Sequence, residues 1–338
     1  MAPALLNMSR PSDDAADPNC EAASQFGSLF RLFLCRAAST EGADTVTDPQ
    51  QRSVISERRQ LFNLAYRLLG SLAEAEDVVQ ETYARWYALS EPQRQEVAKP
   101  GAWLATGAGR ICLDLLGSAR ARRERYVGEW IPEPVPDRSE WLDGHDPADR
   151  VTLDESIGMA FLVVLDSMTP AERVAFVLHD VFRYSFAEVA EIVGRTPAAC
   201  RRLASSARRR IRTAQGPSRT QRAEVVRDFK RAWETKDIEA LIGLLDPQAT
   251  ATADSGGLAP AFRHPITGGE RIARAWLEIA SKSPEVTLLE RTVNGQPGLV
   301  ALLDDTIVSV YAFDMADGRI TRIWVIRNPE KLRLWKAA

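Results

Sequence analysis

The stretch from Ser185 to Ile211 constrains the fold of this chain more than any other. Ser185 is a favourable N-cap before apolar residues at helical spacing, and Gly194 suits the turn that ends the helix. Thr196 and Pro197 then suit the N-cap and the first turn of a second helix. Two short capped helices joined by a tight turn predict a helix-turn-helix unit.

The second helix of this unit is strongly amphipathic. Cys200, Leu203 and Ala207 fall on one face, whereas the opposite face is rich in arginine. Arginine pairs with phosphates for affinity and with guanine edges for selectivity, so this face predicts a helix that enters the major groove of DNA. A solvated basic helix in an ordinary bundle is the alternative. The predicted DNA contacts are Arg195, Thr196, Arg201, Arg202, Ser205, Arg208, Arg209 and Arg212.

Helical periodicity also predicts a bundle from Ser56 to about Arg125. Within it, Ser71 and Glu74 form a capping-box pattern that begins an acidic helix. A negative surface repels DNA, so the acidic face of this helix suits a basic protein partner, and a solvated helix face is the alternative. The candidate partner-binding residues are Asp77, Gln80 and Glu81.

The next segment of this bundle has an apolar start and a basic end. Aromatic and basic residues on one surface suit melting DNA, because exposed bases stack on rings and phosphates need positive charge. A buried Trp103 followed by a solvated arginine tail is the alternative, and Gly107 and Gly109 are poor helix formers within the segment. The candidate residues are Trp103, Arg110, Arg120, Arg122 and Arg123.

Charge and cysteine content restrict what else the chain can be. There are 43 basic and 46 acidic residues, so only local clusters favour a nucleic-acid partner. The four cysteines and three histidines lack metal-ligand spacing, which predicts a reducing compartment and no metal or cofactor. The apolar stretch 26–35 is too short to cross a bilayer, and acidic residues precede it where a signal peptide would be basic. We therefore expect a cytoplasmic protein with no membrane span.

The composition changes at Tyr126. The stretch 126–150 contains prolines that favour an extended linker, and of its two tryptophans, Trp130 and Trp141, at least one should dock on a domain surface. Beyond Gly216 the pattern predicts two helices followed by antiparallel strands packed on them. The pattern of 220–338 resembles an α+β cone whose curved sheet wraps around a pocket, and Asp254, His264, Asp304 and Asp305 could lie near such a pocket for an unknown small ligand. Asp254 is nevertheless more typical of a turn and His264 of a loop, so catalysis is not expected.

Three stretches in this order resemble regions 2 and 4 of extracytoplasmic-function sigma factors. They are AEDVVQETYARWY (75–87), WLATGAGRICLDLLGSARARRE (103–124) and TPAERVAFVLHDVFRYSFAEVAEIVGRTPAACRRLASSARRRI (169–211). The resemblance implies core RNA polymerase as a partner, through its β′ clamp helices and β flap, with the acidic helix on the clamp helices. It also implies that the 103–124 segment opens the minus-ten promoter element and that the arginine-rich helix reads the minus-thirty-five element. Arg110 stands where many members carry asparagine.

Two further stretches resemble a narrower subgroup with a SnoaL-like C-terminal extension. They are YVGEWIPEP (126–134) and NPEKL (328–332), and DSGGL (254–258) resembles the start of a third motif, with Leu258 where lysine is usual. The resemblance implies that the extension regulates the sigma factor in cis, in place of a separate anti-sigma protein. The implied interdomain residues are Trp130, Ile131, Pro132, Glu133, Pro134, Asp254, Asn328, Pro329, Glu330, Lys331 and Leu332.

The sequence therefore predicts a multidomain fold class, in which two all-α domains precede an α+β cone of the SnoaL and nuclear-transport-factor-2 type. The expected parts are a disordered extension or misassigned start at 1–52, region 2 at 53–125, the linker at 126–150, a region 4 helix-turn-helix at 151–214 and the cone at 220–338. A helix-turn-helix regulator fused to a ligand-binding or enzymatic domain, and a repressor that acts without polymerase, are the alternative functions.

Overall fold

The computed structural model describes residues 57–123, 126–137, 158–211, 217–283 and 285–336. For residues 119–123 it describes the helix but not the side chains. The predicted extension at 1–52, Trp141 and Arg212 therefore lie outside the described residues, as do the side chains of Arg120, Arg122 and Arg123. Within these ranges no helix combines the length and the apolar character that crossing a membrane requires.

The first part of the fold is helical: α1 is Arg58–Leu69, α2 is Leu72–Ala88, α3 is Glu91–Glu96 and α4 is Pro100–Arg123. The Ser71 hydroxyl accepts a hydrogen bond from the Glu74 amide, so α2 begins where the capping pattern predicts. Helix α4 runs unbroken through Gly107 and Gly109, contrary to the expectation from their low helix propensity. A Cβ atom on Gly109 would lie 2.9 Å from the Ile192 side chain, so close helix packing favours glycine there.

The second helical part contains α5 (Met159–Asp166), α6 (Pro170–Phe176), which continues as a π-helical turn over Val177–Val181, α7 (Phe186–Val193) and α8 (Pro197–Arg210). The predicted N-caps Ser185 and Thr196 accept a backbone hydrogen bond at the start of a helix, as does Thr169 at the start of α6. Gly194 ends α7 with a φ of 66°. Helices α7 and α8 thus form the predicted helix-turn-helix, in which the left-handed Gly194 makes the turn.

The two helical parts are packed against each other through one hydrophobic core. It contains Leu64 and Leu104 from the first part together with Leu165, Leu178 and Ile192 from the second. Polar contacts reinforce the packing, since the Arg173 guanidinium donates to the Leu68 carbonyl at 2.7 Å. Helix α4 therefore lies directly against the helix-turn-helix.

The C-terminal part is α+β, with helices α9 (Arg219–Glu234), α10 (Ile238–Leu244) and α11 (Gly269–Lys282). Its strands are β1 (Leu245–Asp254), β2 (Ile266–Thr267), β3 (Thr287–Val293), β4 (Gln296–Leu303), β5 (Thr306–Ala316) and β6 (Arg319–Ile326). They form one sheet in the order β2-β1-β6-β5-β4-β3. The expectation of antiparallel strands is confirmed for β3 to β6, whereas β1, which the sequence pattern does not predict, runs parallel to β6.

Both faces of this sheet are covered. On one face, Phe229 of α9 and Trp276 of α11 pack with Tyr311 and Phe313 of β5. On the other, Val310 and Trp324 pack with Met159 of α5 and Ile131 of the linker. Residues 131–136 of the linker are thus buried between the sheet and the helical part, whereas residues 127–129 are exposed.

Candidate functional site

The Asp254 carboxylate is the centre of a buried polar cluster at the end of β1. It is fully buried and pairs with the Lys331 ammonium at 2.7 Å. It also accepts hydrogen bonds from the Ile131 amide at 2.8 Å and the Tyr126 hydroxyl at 2.6 Å. The Gly256 amide also donates to this carboxylate at 3.2 Å, so Asp254 is a turn residue as the sequence suggests, and its side chain in addition joins the linker to the C-terminal domain.

The residues that follow β6 complete this cluster. The amides of Arg327 and Asn328 donate to the Asp254 carbonyl at 2.6 and 3.0 Å. The Asn328 side chain donates to the Tyr126 hydroxyl at 2.7 Å, and Lys331 donates to the Ile131 carbonyl. We call the set Tyr126, Ile131, Asp254, Asn328 and Lys331 the Asp254 junction. Burial raises the pKa of Tyr126 above its ordinary value and the bond to Asp254 raises it further, so this hydroxyl stays protonated and remains a donor.

Trp130 packs at the same place. The Lys331 ammonium lies 4.3 Å from the centroid of the Trp130 ring, which is a cation–π distance. The ring also lies against Gly70, where a Cβ atom would come within 2.7 Å of it. Gly70 also ends α1 with a φ of 72°, so both conformation and space favour glycine. The prediction that a linker tryptophan docks on a domain surface is met by Trp130.

The next linker residues bind the first helical part. The Glu133 amide donates to the Gly70 carbonyl at 2.8 Å, and the Glu133 carboxylate accepts from the Leu72 amide at 2.9 Å. The Glu133 carbonyl accepts from the Tyr66 hydroxyl at 2.7 Å. Burial raises the pKa of Glu133, although the Leu72 amide offsets part of this effect. The linker is therefore hydrogen-bonded to the helices on one side and to the sheet domain on the other.

Asn294 forms a second attachment that the sequence did not reveal. Its amide donates to the Val135 carbonyl at 2.8 Å, and its side-chain oxygen accepts from the Val135 amide at 3.1 Å. Its side-chain nitrogen donates to the buried Tyr66 hydroxyl at 2.9 Å. Asn294 and Gly295 are typical of a hairpin turn, so the sequence pattern explains them without any partner. By contrast, Tyr126 opens the YVGEWIPEP stretch and could have been found there.

The remaining interdomain candidates divide by burial. Pro132 and Leu332 are buried, and the Pro134 carbonyl accepts from the Trp335 indole at 3.0 Å. Pro329 and Glu330 are exposed. The structure thus brings the candidates from 130–134, 254 and 328–332 to one place, with only part of the last stretch in contact with the linker.

The candidate DNA contacts on the helix-turn-helix lie on its surface. One of them is already paired, since Arg208 forms an ion pair with Asp180 at 2.7 Å. The Arg201 guanidinium lies 5.5 Å from the centre of the Phe186 ring. The exposed members are Arg195, Thr196, Arg201, Arg202, Ser205, Arg208 and Arg209.

The other candidates in the helical part differ in accessibility. Asp77, Gln80 and Glu81 are exposed on α2, and partial burial together with the neighbouring Glu76 raises the pKa of Asp77. Trp103 is half-buried against Trp86, with ring centroids 5.2 Å apart. Arg110 donates to the Glu191 carbonyl of α7 at 3.1 Å. In this conformation the minus-ten candidate Arg110 is therefore bound to the helix-turn-helix.

The pocket predictions for the C-terminal domain are corrected by the structure. A cavity of about 720 Å³ lies between the helices and the sheet, but Asp254, Asp304 and Asp305 are not on its wall. Asp304 and Asp305 form the β4–β5 turn, where their φ angles are 47° and 59°. His264 lines a neighbouring cleft together with Val127 of the linker.

The comparisons with known proteins agree with this architecture. The Sigma-70 region 2 family matches residues 54–122 and the Sigma-70, region 4 family matches residues 158–211. The ECF RNA polymerase sigma factor SigJ of Mycobacterium tuberculosis is 37% identical over 81% of this chain and 90% of its own length. The probable ECF RNA polymerase sigma factor SigI of the same organism is 34% identical over 84% of this chain and 95% of its own. The crystal structure of M. tuberculosis SigJ matches with a TM-score of 0.67 over 84% of this chain and 98% of that chain, at 34% identity.

Proposed function

Since this chain belongs to the extracytoplasmic-function (ECF) RNA polymerase sigma factors, we propose that the described conformation is a closed state in which the C-terminal domain restrains promoter recognition. As a sigma factor the chain binds core RNA polymerase and promoter DNA and acts without catalysis. The observation that carries the proposal is the Asp254 junction, which joins the linker between regions 2 and 4 to the C-terminal domain. The site of action would be the cytoplasm, where polymerase and promoter meet.

Geometry supports the assignment of a closed state. The minus-ten and minus-thirty-five elements are about 25 base pairs apart, which is roughly 85 Å along a duplex with ~3.4 Å per base pair. Even the 24-residue α4 extends only ~36 Å at ~1.5 Å per residue. Because Arg110 of α4 touches Glu191 of α7, the two DNA-reading parts are in direct contact and cannot reach both elements together.

The Asp254 junction would resist the separation of the two parts. The linker must straighten for region 2 and region 4 to move apart, yet residues 130–135 are bonded to α1, to the α1–α2 turn and to the C-terminal domain. Straightening would expose the buried Asp254 and Lys331 pair as well as the apolar contact of Ile131. The C-terminal domain would thus act within the chain as an anti-sigma protein acts from outside it. Domain boundaries at 53–125, 126–150, 151–214 and 220–338 are part of this proposal.

The roles of the surface residues follow from the family and from their exposure. Asp77, Gln80 and Glu81 would bind the polymerase clamp, and the arginine face of α8 would read the minus-thirty-five element. Trp103, Arg110, Arg120, Arg122 and Arg123 would act at the minus-ten element. Arg110 would first have to leave the Glu191 carbonyl, so opening of the chain would precede promoter melting.

Fluorescence energy transfer between the two helical parts tests the closed state. Dyes attached through Gln60→Cys on α1 and Ser167→Cys at the end of α5, with Cys20 and Cys35 replaced by serine, should show high transfer efficiency in the free chain. We expect the efficiency to fall to near background when core RNA polymerase and a promoter fragment are added. All four positions that are changed are exposed or outside the described residues, and the native Cys112 and Cys200 are buried.

A control pair within region 2, Gln60→Cys with Gln95→Cys, should keep its transfer efficiency throughout. Low efficiency for the first pair in the free chain would contradict the closed state. Unchanged high efficiency in the promoter complex would contradict the opening.

The arginine face gives a separate prediction about promoter reading. Arg201→Ala or Arg202→Ala should weaken promoter binding by the polymerase complex by about 1–3 kcal/mol if the side chain is bidentate to a base. Competition binding against a fragment with a changed minus-thirty-five element measures the loss of discrimination. Arg219→Ala on α9 is a matched control, because this arginine is exposed outside the helix-turn-helix. Equal weakening on both fragments would show that the residue contacts only phosphate.

A further inference from the structure

The C-terminal domain encloses a cavity whose size suits a small organic molecule. The cavity measures about 720 Å³ and lies between α9, α11 and the inner face of the sheet. Pockets of ~300–1,000 Å³ hold drug-sized ligands in other proteins. Its walls are largely aromatic and aliphatic, and include Trp233, Phe262, Trp276, Leu288, Tyr311 and Val325.

The aromatic side chains form a continuous wall. The Trp233 ring centroid lies 6.0 Å from that of Trp276 and 5.3 Å from that of Tyr311. Phe262 extends the wall, with its centroid 6.3 Å from that of Trp276. The first and third of these ring pairs are tilted and the second is edge to face, and together the rings form an apolar surface that can pack against another ring system.

A buried hydrogen-bond donor on this wall lacks a partner. Trp276 is only 1% exposed, and within the described residues nothing accepts a hydrogen bond from its indole N–H. A buried donor without an acceptor is destabilising, so a ligand oxygen that reached this N–H would be favourable. The cavity also contains the hydroxyls of Ser309 and Tyr311, which are hydrogen-bonded to each other. Burial raises the pKa of Tyr311, so this hydroxyl stays neutral.

Charged groups occur at the rim of the cavity. Glu278 and Lys282 of α11 are exposed and form an ion pair with each other. Lys236, at the end of α9, is exposed as well. Arg327 also lines the cavity, and its guanidinium donates to the Pro260 carbonyl. The rest of the deep wall is apolar with neutral hydrogen-bonding groups, which disfavours a multiply charged ligand because its desolvation would not be repaid.

We infer that this cavity binds a ring-containing, apolar molecule with at least one hydrogen-bond-accepting oxygen, and that such a ligand adjusts the Asp254 junction. The second part rests on the regulatory role proposed for the junction. The first part rests on the cavity alone.

The coupling follows from two strands that serve both sites. Ala253, Val325 and Arg327 line the cavity, and successive residues of a strand point to opposite faces of its sheet. Asp254 comes directly after Ala253, and the Arg327 amide donates to the Asp254 carbonyl. A ligand that moves the ends of β1 or β6 would therefore change the geometry of the Asp254 junction.

A loop provides a second connection. Pro260, Ala261 and Phe262 line the cavity and also the neighbouring cleft. The other wall of that cleft includes Val127, Gly128 and Glu129 of the linker. A ligand that displaced this loop would therefore change the cleft in which the loop faces the linker.

Binding is tested on the purified full chain with Prodan, an environment-sensitive naphthalene ketone, as the fluorescent probe. Its displacement is measured with 2-acetylnaphthalene and with 2-isopropylnaphthalene, which has a similar shape but no acceptor oxygen. We expect 2-acetylnaphthalene to bind about fivefold or more tightly than 2-isopropylnaphthalene, as one added hydrogen bond to a buried donor would give.

Two variants connect this binding to the cavity. Trp276→Phe should bring the ratio of the two affinities close to one, because it keeps a ring but removes the N–H donor. Ala275→Phe, which fills the cavity, should abolish Prodan binding, whereas Ala88→Phe on the surface of α2 should not. Prodan binding to Ala275→Phe at the wild-type affinity, or equal affinities of the two naphthalenes for the wild-type chain, would overturn the ligand assignment. Circular dichroism confirms that each variant is folded.

Hydrogen exchange tests the coupling. With saturating 2-acetylnaphthalene, the exchange rates of the Ile131 and Asn328 amides should change severalfold, and those of Leu64 in α1 should not. Unchanged exchange at both junction amides would overturn the coupling and leave the binding result intact. Neither measurement uses polymerase or DNA, so failure here is distinct from failure of the proposed closed state, which depends on transcription and energy transfer.

Discussion

Replacing Lys331 with methionine should raise promoter-directed transcription at limiting sigma factor by tenfold or more. The substitution removes the ammonium that neutralises the fully buried Asp254 carboxylate. Removal of one partner from a buried ion pair costs about 3–5 kcal/mol, and this cost falls on the closed state alone. Each 1.4 kcal/mol changes an equilibrium constant tenfold, so a hundredfold preference for the closed state corresponds to about 2.8 kcal/mol. The loss of the ion pair would therefore be enough to remove such a preference. Run-off transcription on genomic fragments with core RNA polymerase measures the effect.

The double variant Asp254→Asn/Lys331→Met is the control for Lys331→Met. It leaves no buried charge, and the asparagine oxygen can still accept from Ile131, so the double variant should be less active than Lys331→Met. Tyr126→Phe removes one hydroxyl that bridges Asp254 and Asn328 and should give a smaller increase. Wild-type activity in a folded Lys331→Met chain, with its fold checked by thermal melting, would contradict the proposed restraint.

The closed state implies that polymerase binding supplies the free energy of opening. A ligand shifts a two-state equilibrium only by its differential affinity for the two states. In the proposed open state, core polymerase and promoter DNA would contact both region 2 and region 4, which the closed chain could not present together. Their binding energy therefore favours the open state, and the Asp254 junction sets how much of it is needed. A sigma factor controlled in this way can be tuned at the junction without any change in its DNA-reading face.

The sequence predicted the parts of this structure that depend on local chemistry. Ser185, Thr196 and Gly194 have strong conformational preferences, so both helices of the helix-turn-helix begin and end where the pattern predicts. The family resemblance selected Asp254 and Lys331 as interdomain residues, and the two form an ion pair. Their roles in regulation stay a prediction.

The sequence could not reveal features that depend on packing between distant segments. The alternation in β1 involves small residues such as Ala249, Ala251 and Ala253, which give a weak strand signal. Its parallel pairing with β6 brings together residues about 70 positions apart, for which periodicity has no information. Helix α11 has a clear apolar stripe that includes Ile272 and Trp276, so the helical spacing of these residues is enough to predict the helix from the sequence.

The sequence pattern also could not predict that regions 2 and 4 share one hydrophobic core. Ile192 has the spacing of an ordinary core residue of α7, and Gly109 appears only as a weak helix former. Their contact explains both residues, because the absence of a side chain at Gly109 leaves room for the Ile192 side chain. Apolar periodicity shows which face is buried, but not whether the covering surface belongs to the same domain.

Charge reversal of Asp77 should abolish the capture of core RNA polymerase. Asp77 is exposed on α2 beside Glu76, so lysine can replace it without a change in the core of region 2. Like charges placed against each other at an interface cost several kcal/mol, and ~3 kcal/mol weakens binding more than a hundredfold. Pull-down of purified core polymerase by the tagged chain measures the loss, and Glu224→Lys on the exposed surface of α9 gives the same change in net charge as a control.

Combining this substitution with Lys331→Met separates docking from opening. If Asp77 acts at the interface, Asp77→Lys/Lys331→Met should fail to capture polymerase although its chain is open, because the repulsion remains. If Asp77→Lys instead acted by stabilising the closed state, Lys331→Met would restore capture. Recovery in the double variant, or wild-type capture by Asp77→Lys alone at physiological salt, would therefore exclude the acidic face of α2 as the polymerase-binding surface.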